Sequence, residues 1–185
     1  TSNPDPSLWR DNGFSTLEAM QNAHAPIIKS VCSLLGGIAG PKTVLDLGCG
    51  NGELLRSICT RSLGTVPIGV EKDAGRCHRA KLLLADFSPQ IENSNIFDDL
   101  ALWQRNQTID LTLLMPGRLR EAGEEKSAAL MARLRSKSSA LLFYLYSDWI
   151  EKQPGLIDET ADRYDIALKY RAANTQVALA VGQSR

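Results

Sequence analysis

The sequence predicts an α/β protein: a doubly wound, mostly parallel seven-stranded sheet with helices on both faces and a C-terminal antiparallel hairpin. Three observations predict it. Short apolar runs alternate with stretches of helical spacing from Thr43 to Tyr146, the order that builds a parallel sheet through crossover helices. The run SALLFYLY, 139–146, is apolar throughout, as a strand covered on both faces must be. The last two strand-like runs, DIALKYR at 165–171 and TQVALAV at 175–181, are joined by a link too short for a parallel crossover, so they pair antiparallel.

Taken in order, residues 1–14 carry two prolines and no hydrophobic period and read as a loosely held arm. STLE at 15–18 has the form of a capping box, with Ser15 as the cap and Glu18 reaching back to it. Leu17, Met20, His24, Ile27, Val31 and Leu34 then recur at steps of three and four, one buried helical stripe. Pro26 lacks an N–H and disfavours helical angles at Ala25, which predicts two helical pieces meeting near residues 24–26. Gly36 and Gly37 end the second piece. Strands follow at 43–47, 66–71, 90–95 and 109–115, with helices over about 51–62, from an Asp73 cap to about 85, and over 118–136. Residues 147–164 read as a loop.

The 185 residues suit one domain, divided into an N-terminal arm with helices over 1–40 and a core over 41–185. Acidic and basic residues cancel at 21 each, which leaves no footprint for indiscriminate binding to nucleic acid or to a membrane surface. The four cysteines, Cys32, Cys49, Cys59 and Cys77, never form a C-x-x-C pair and read as free thiols of a reducing compartment, with no metal site. No apolar run approaches the roughly 20 residues of a membrane span. With no basic-then-apolar segment at the start, the expectation is a cytoplasmic protein.

The chemistry concentrates in VLDLGCGNGELL, Val44 to Leu55, where an apolar strand enters three alternating glycines and then a helix. Such a turn brings backbone close to a ligand in the crevice beyond the strand ends. A Walker loop would need lysine and then serine or threonine after the last glycine, but Glu53 and Leu54 stand there. A dinucleotide fingerprint is G-x-G-x-x-G, whereas this turn is G-x-G-x-G, preceded by Asp46, which disfavours a pyrophosphate and suits a cation.

With Asp46 before the glycines, Glu71 ending the second strand and the closing hairpin, the chain resembles the class I S-adenosylmethionine-dependent methyltransferases over residues 40–182. The resemblance implies S-adenosylmethionine as cofactor. Asp46 would lie near the ammonium of its methionine part, with the Gly48, Cys49, Gly50 and Gly52 turn around it. Glu71 would take the two ribose hydroxyls, since two adjacent donors match two carboxylate oxygens, with Lys72 beside it. Asn95 would accept from the adenine amino group, with Asp98 as the other candidate, and Ile96 would lie against the ring. Met115, at the end of the fourth strand, would also contact the cofactor.

The acceptor side is less specific. Many family members that methylate amide or base nitrogens carry Asn/Asp-Pro-Pro-aromatic after the fourth strand; here MPGRL stands instead, which favours oxygen over nitrogen as acceptor. Arg118 offers a planar cationic fork for an anionic substrate group. His24, with an ordinary pKa near the working pH, is the candidate base, and Tyr146 and Asp148 are candidate substrate contacts. Trp9, Phe14 and Met20 could form an apolar lid. The expectation is a methyltransferase acting on a small-molecule acceptor as a monomer or homodimer, with nucleic acid not expected as a partner. The alternatives are an RNA or protein methyltransferase domain that needs a partner, and a SAM-binding module without catalysis.

Overall fold

The computed structural model describes residues 4–185. Strands β1 (Lys42–Leu47), β2 (Thr65–Val70), β3 (Gln90–Glu92), β4 (Ile109–Leu114) and β5 (Ser138–Tyr146) are parallel, and β6 (Ile166–Ala173) and β7 (Val177–Ser184) form the closing hairpin. The seven strands lie in the order β3-β2-β1-β4-β5-β7-β6, with β7 antiparallel to both of its neighbours. Strand order reverses between β1 and β4, so a crevice opens at the carboxyl ends of those two strands.

The helices are α1 (Ser7–Arg10), α2 (Leu17–Leu35), α3 (Glu53–Arg61), α4 (Ala74–Leu83), α5 (Pro116–Ala122), α6 (Glu124–Lys137), α7 (Ser147–Lys152) and α8 (Leu156–Arg163). Period-two alternation divides each strand's side chains between two cores. On β5, Leu141, Phe143 and Leu145 face one core with Leu130, Met131 and Leu134 of α6, while Leu142 and Tyr144 face the other with Ile27 and Val31 of α2 and Leu55 and Ile58 of α3. On β1 the same rule puts Val44 with the α2–α3 core and Leu45 and Leu47 with the α6 core, so Asp46 shares the α2 side with Tyr144.

Five expectations are corrected. The cap of α2 is Thr16, whose Oγ1 accepts from the Ala19 amide at 3.0 Å, rather than Ser15. Pro26 does not divide the helix; α2 is continuous. A proline at 26 leaves the Asn22 carbonyl without its intrahelical donor, and Asn174 Nδ2 from the β6–β7 turn supplies one at 2.9 Å. The buried stripe ends on Leu35 and leaves Leu34 partly exposed. The predicted 118–136 helix is two, α5 and α6, divided at Gly123, whose φ of +85° and ψ of 164° suit only glycine. Residues 147–164, read as a loop, hold α7 and α8, with Leu156, Ile157 and Ala161 buried. No helix among the described residues is long and apolar enough to cross a membrane.

Candidate functional site

The glycine turn lies at the carboxyl end of β1. Gly48, Gly50 and Gly52 all have positive φ, at +91°, +57° and +86°, which a side chain would resist. The turn is spliced to β2: the Gly48 and Cys49 amides both donate to the Val70 carbonyl, at 2.8 and 3.0 Å. One residue later, Glu71 turns its carboxylate back toward the glycines. Its Oε2 accepts from the Gly50 amide at 3.0 Å, and its Oε1 accepts from the Asp73 amide at 2.8 Å and pairs with Arg76 Nη2 at 3.1 Å. A carboxylate has about four acceptor directions; the one left over, on Oε2, is available to a ligand hydroxyl.

Two neighbouring cavities share Gly48, Glu71, Arg76 and Arg118. One, of about 270 Å³, is bounded by Asp46, Cys49, Gly50, Met115, Tyr144, Tyr146 and His24. The other, of about 350 Å³, extends over the β2 and β3 ends past Lys72, Ser94, Asn95, Ile96, Phe97 and Asp98. A larger cavity of about 550 Å³ between α2 and α3 shares only His24 with them.

The first cavity is electrostatically unbalanced. Asp46 is 1% exposed, and its Oδ1 has no hydrogen-bond partner. Burial, and then the Glu71 charge, push its pKa up to about 7, against a lowering pull from Arg118. Arg118 lies over Gly48, its guanidinium about 3.6 Å from where a Cβ would stand there, and its buried Nε is also without a partner. Burial raises the Tyr144 and Tyr146 hydroxyls well above the usual phenol range and drives the His24 pKa down to about 4. Both phenols and the imidazole are therefore neutral at pH 7. The Cys49 thiol is raised by burial too, which keeps it protonated and inert.

The arm expected to be loose is latched over this cavity; its residues 1–3 lie outside the described range. Asn12 and Asn51 bond reciprocally: Asn12 Nδ2 donates to Asn51 Oδ1 at 2.8 Å, and the Asn51 amide donates to Asn12 Oδ1 at 3.3 Å. Asn51 Nδ2 also reaches the Ser7 and Leu8 carbonyls at 3.1 Å, and Arg76 reaches the Asp11 carbonyl at 3.2 Å. Asp11 pairs with Arg79. Phe14 then packs edge-on against His24 and Tyr146, with ring centroids 5.4 and 5.2 Å away.

Most residues singled out in the sequence meet here. Asp46, Gly48, Cys49, Gly50, Glu71, Met115, Arg118, His24 and Tyr146 bound the first cavity, and Lys72, Asn95 and Ile96 bound the second. Gly52 does not: it opens α3 and backs onto Ala80 and Leu84, where a Cβ would stand 3.1 Å from both. Asp148 is exposed on α7 and bounds neither cavity. Asn95 Oδ1 accepts from the Phe97 amide at 3.1 Å, and Asp98 Oδ2 accepts from Ser94 Oγ and the Asn95 amide, at 3.0 and 3.1 Å, so the single side-chain oxygen of Asn95 and one of the two of Asp98 already accept from the loop. Tyr144 was missed, although it stands two residues before Tyr146 on the same strand face. Phe97 was missed beside Ile96. Asn12 and Arg76 carry no sequence signal, because their roles come from contacts between distant segments.

No family model matches the sequence, and no curated protein matches it. Solved structures do. The chain is similar to monomeric WbdD, with a TM-score of 0.70 and 16% identity over 99% of this chain and 45% of that one. It is similar to the N-methyltransferase NodS from Bradyrhizobium japonicum WM9, with a TM-score of 0.68 and 11% identity over 92% of this chain and 99% of that one. It is also similar to the glycopeptide N-methyltransferase MtfA complexed with sinefungin, with a TM-score of 0.65 and 13% identity over 88% and 87% of the two chains. The chain thus spans less than half of WbdD, 40% in another of its structures, and nearly all of NodS. It has the class I S-adenosylmethionine-dependent methyltransferase fold.

Proposed function

We propose that this chain binds S-adenosylmethionine and transfers its methyl group to a small-molecule acceptor. The observation that carries the reading is the unpartnered, buried Asp46 carboxylate at the glycine turn, with the Glu71 carboxylate one strand away along the same crevice. That donor set fits a ligand with a cationic amino-acid end and a diol. Asp46 would hold the ammonium and Glu71 the ribose, while Ile96 and Phe97 would flank the adenine, with Asn95 or Asp98 accepting from its amino group. The likeness to MtfA, a structure complexed with the S-adenosylmethionine analogue sinefungin, supports the same cofactor.

When bound, the donor supplies a methyl carbon already activated by its sulfonium. The chain's own contribution is then alignment and exclusion of water. Tyr144, Tyr146 and Met115 provide an apolar and aromatic wall, backed by Phe14 and flanked by the latched arm. His24 is the imidazole at this wall. Held to a pKa of about 4, it is neutral at working pH but a weak proton acceptor. It therefore positions the acceptor and takes a proton only from a group already made acidic by transfer. Oxygen ranks ahead of nitrogen as acceptor because the Asn/Asp-Pro-Pro-aromatic motif is replaced by Met115-Pro116-Gly117-Arg118. A macromolecular acceptor, RNA or protein, is the second reading; it is supported by the likeness to the small RNA methyltransferase HEN1, with a TM-score of 0.64 and 12% identity over 85% of this chain and 25% of that one.

Calorimetry with S-adenosylhomocysteine and with NAD tests the cofactor: heat with the first and none with the second is expected, and the reverse refutes the proposal. A methyl-labelled donor offered with cell extract, followed by separation by size, tests the acceptor. Label in the small-molecule fraction supports the first reading and label in RNA or protein the second, while cofactor binding with no label anywhere indicates a module without catalysis.

A further inference from the structure

Asp46 and Arg118 present one unusual feature between them. Each buries a polar atom without any hydrogen-bond partner, Oδ1 of the carboxylate and Nε of the guanidinium, and both residues bound the same cavity of about 270 Å³. Burying a charged group without a partner is costly, and native structures leave few such groups without reason. Here two of opposite sign stand at one turn. Of the other charges that bound the cavity, Glu71 is occupied by two backbone amides and Arg76, Arg76 also holds the Asp11 carbonyl, Asp11 pairs with Arg79, and Arg10 is exposed. Gly48 bounds the same cavity beside the guanidinium, and its φ of +91° resists any side chain there.

A ligand that satisfies both must carry a cation and an anion side by side, which is the chemistry of an α-amino-acid zwitterion. We infer that Arg118 grips the α-carboxylate of the donor's amino-acid end while Asp46 holds its ammonium, so that Arg118 determines donor specificity and is not part of the acceptor site. The inference rests on the methyl-donor reading and adds a selection: donors and products without the carboxylate are rejected. Arginine suits the role because its planar fork engages carboxylates with charge-assisted, directional bonds. It occupies the third position of α5, immediately after β4, so it reaches across the switch point of the sheet to the β1 turn.

Calorimetry with S-adenosylhomocysteine, its decarboxylated analogue and 5′-methylthioadenosine tests this on the unaltered protein and on Arg118→Met and Arg118→Lys, with thermal melting to verify that each variant folds. The unaltered protein is expected to bind S-adenosylhomocysteine about 10- to 100-fold more tightly than the decarboxylated analogue, the range of a charge-assisted hydrogen bond. Arg118→Met should erase that preference by weakening only the ligand with the carboxylate, and Arg118→Lys should restore part of it. Equal affinity of the unaltered protein for the two ligands overturns the inference and leaves the methyl-donor reading intact. So does a preference that survives in Arg118→Met. If S-adenosylhomocysteine does not bind at all, both readings fall together.

Discussion

Replacing Asp46 by asparagine should make the unliganded protein more stable and destroy the proposed cofactor site in the same step. Asparagine preserves the side chain's size and removes the charge. The carboxylate is buried to 1% exposure and its pKa is raised from 3.8 to about 7, first by burial and then by Glu71. A carboxylate that binds its proton more tightly in the folded chain than in the unfolded one stabilises the fold only while protonated. That contribution is complete below pH 3.8 and is lost as pH rises toward about 7. Each tenfold difference in proton affinity is about 1.4 kcal/mol, so above pH 7 the ionised carboxylate costs the fold at most about 4 kcal/mol. Roughly 1.5 kcal/mol of this is already felt at pH 5, so the advantage of Asp46→Asn should grow by about 3 kcal/mol between pH 5 and pH 8. For a domain of this size that is on the order of 5–10 °C in melting temperature. Thermal melting of both proteins at the two pH values measures it. Addition of S-adenosylhomocysteine should then raise the melting temperature of the unaltered protein and not that of the variant. An Asp46→Asn protein less stable than the unaltered one at pH 8, or a difference that does not change with pH, refutes the argument that this carboxylate is held ionised at a cost for the sake of a ligand.

Three further outcomes follow from the same geometry. Glu71→Ala removes the acceptor of the Gly50 and Asp73 amides and the partner of Arg76; it should cost about 1–3 kcal/mol in chemical denaturation and weaken S-adenosylhomocysteine at least tenfold in calorimetry. Gly117→Ala places a Cβ 2.7 Å from the Trp149 indole, and melting should show a loss of about 1–3 kcal/mol from overpacking. His24, lowered from 6.5 to about 4 by burial, stabilises the fold above pH 6.5 and loses that contribution as pH falls toward 4; His24→Phe should remove up to about 3 kcal/mol of this acid sensitivity, read by melting at about pH 4 and pH 7.

The strand order and the glycine turn were legible because their causes are local. Period-two burial, a link too short for a crossover and glycines at positive φ all act within a few residues, so Asp46, Glu71 and the closing hairpin could be placed from the chain alone. Gly123 carried a local signal as well, but a helical period on either side of it concealed the break. The rest depended on partners far along the chain. Pro26 remains inside α2 because Asn174, 152 residues from Asn22, satisfies the carbonyl that the proline leaves open.

The sequence by itself determined where the glycine turn and the two carboxylates beside it would lie, since the turn and strand ends that carry them are set by neighbouring residues. Tertiary structure alone decided what surrounds them. Asn12 and Asn51, 39 residues apart, latch the arm over the turn, Tyr144 joins Tyr146 and His24 as one wall, and Arg118 folds back over Gly48 with no protein partner for its Nε. Hydrogen bonds, ring contacts and unpaired charges of that kind arise only when separate segments meet, and no spacing along the chain encodes them.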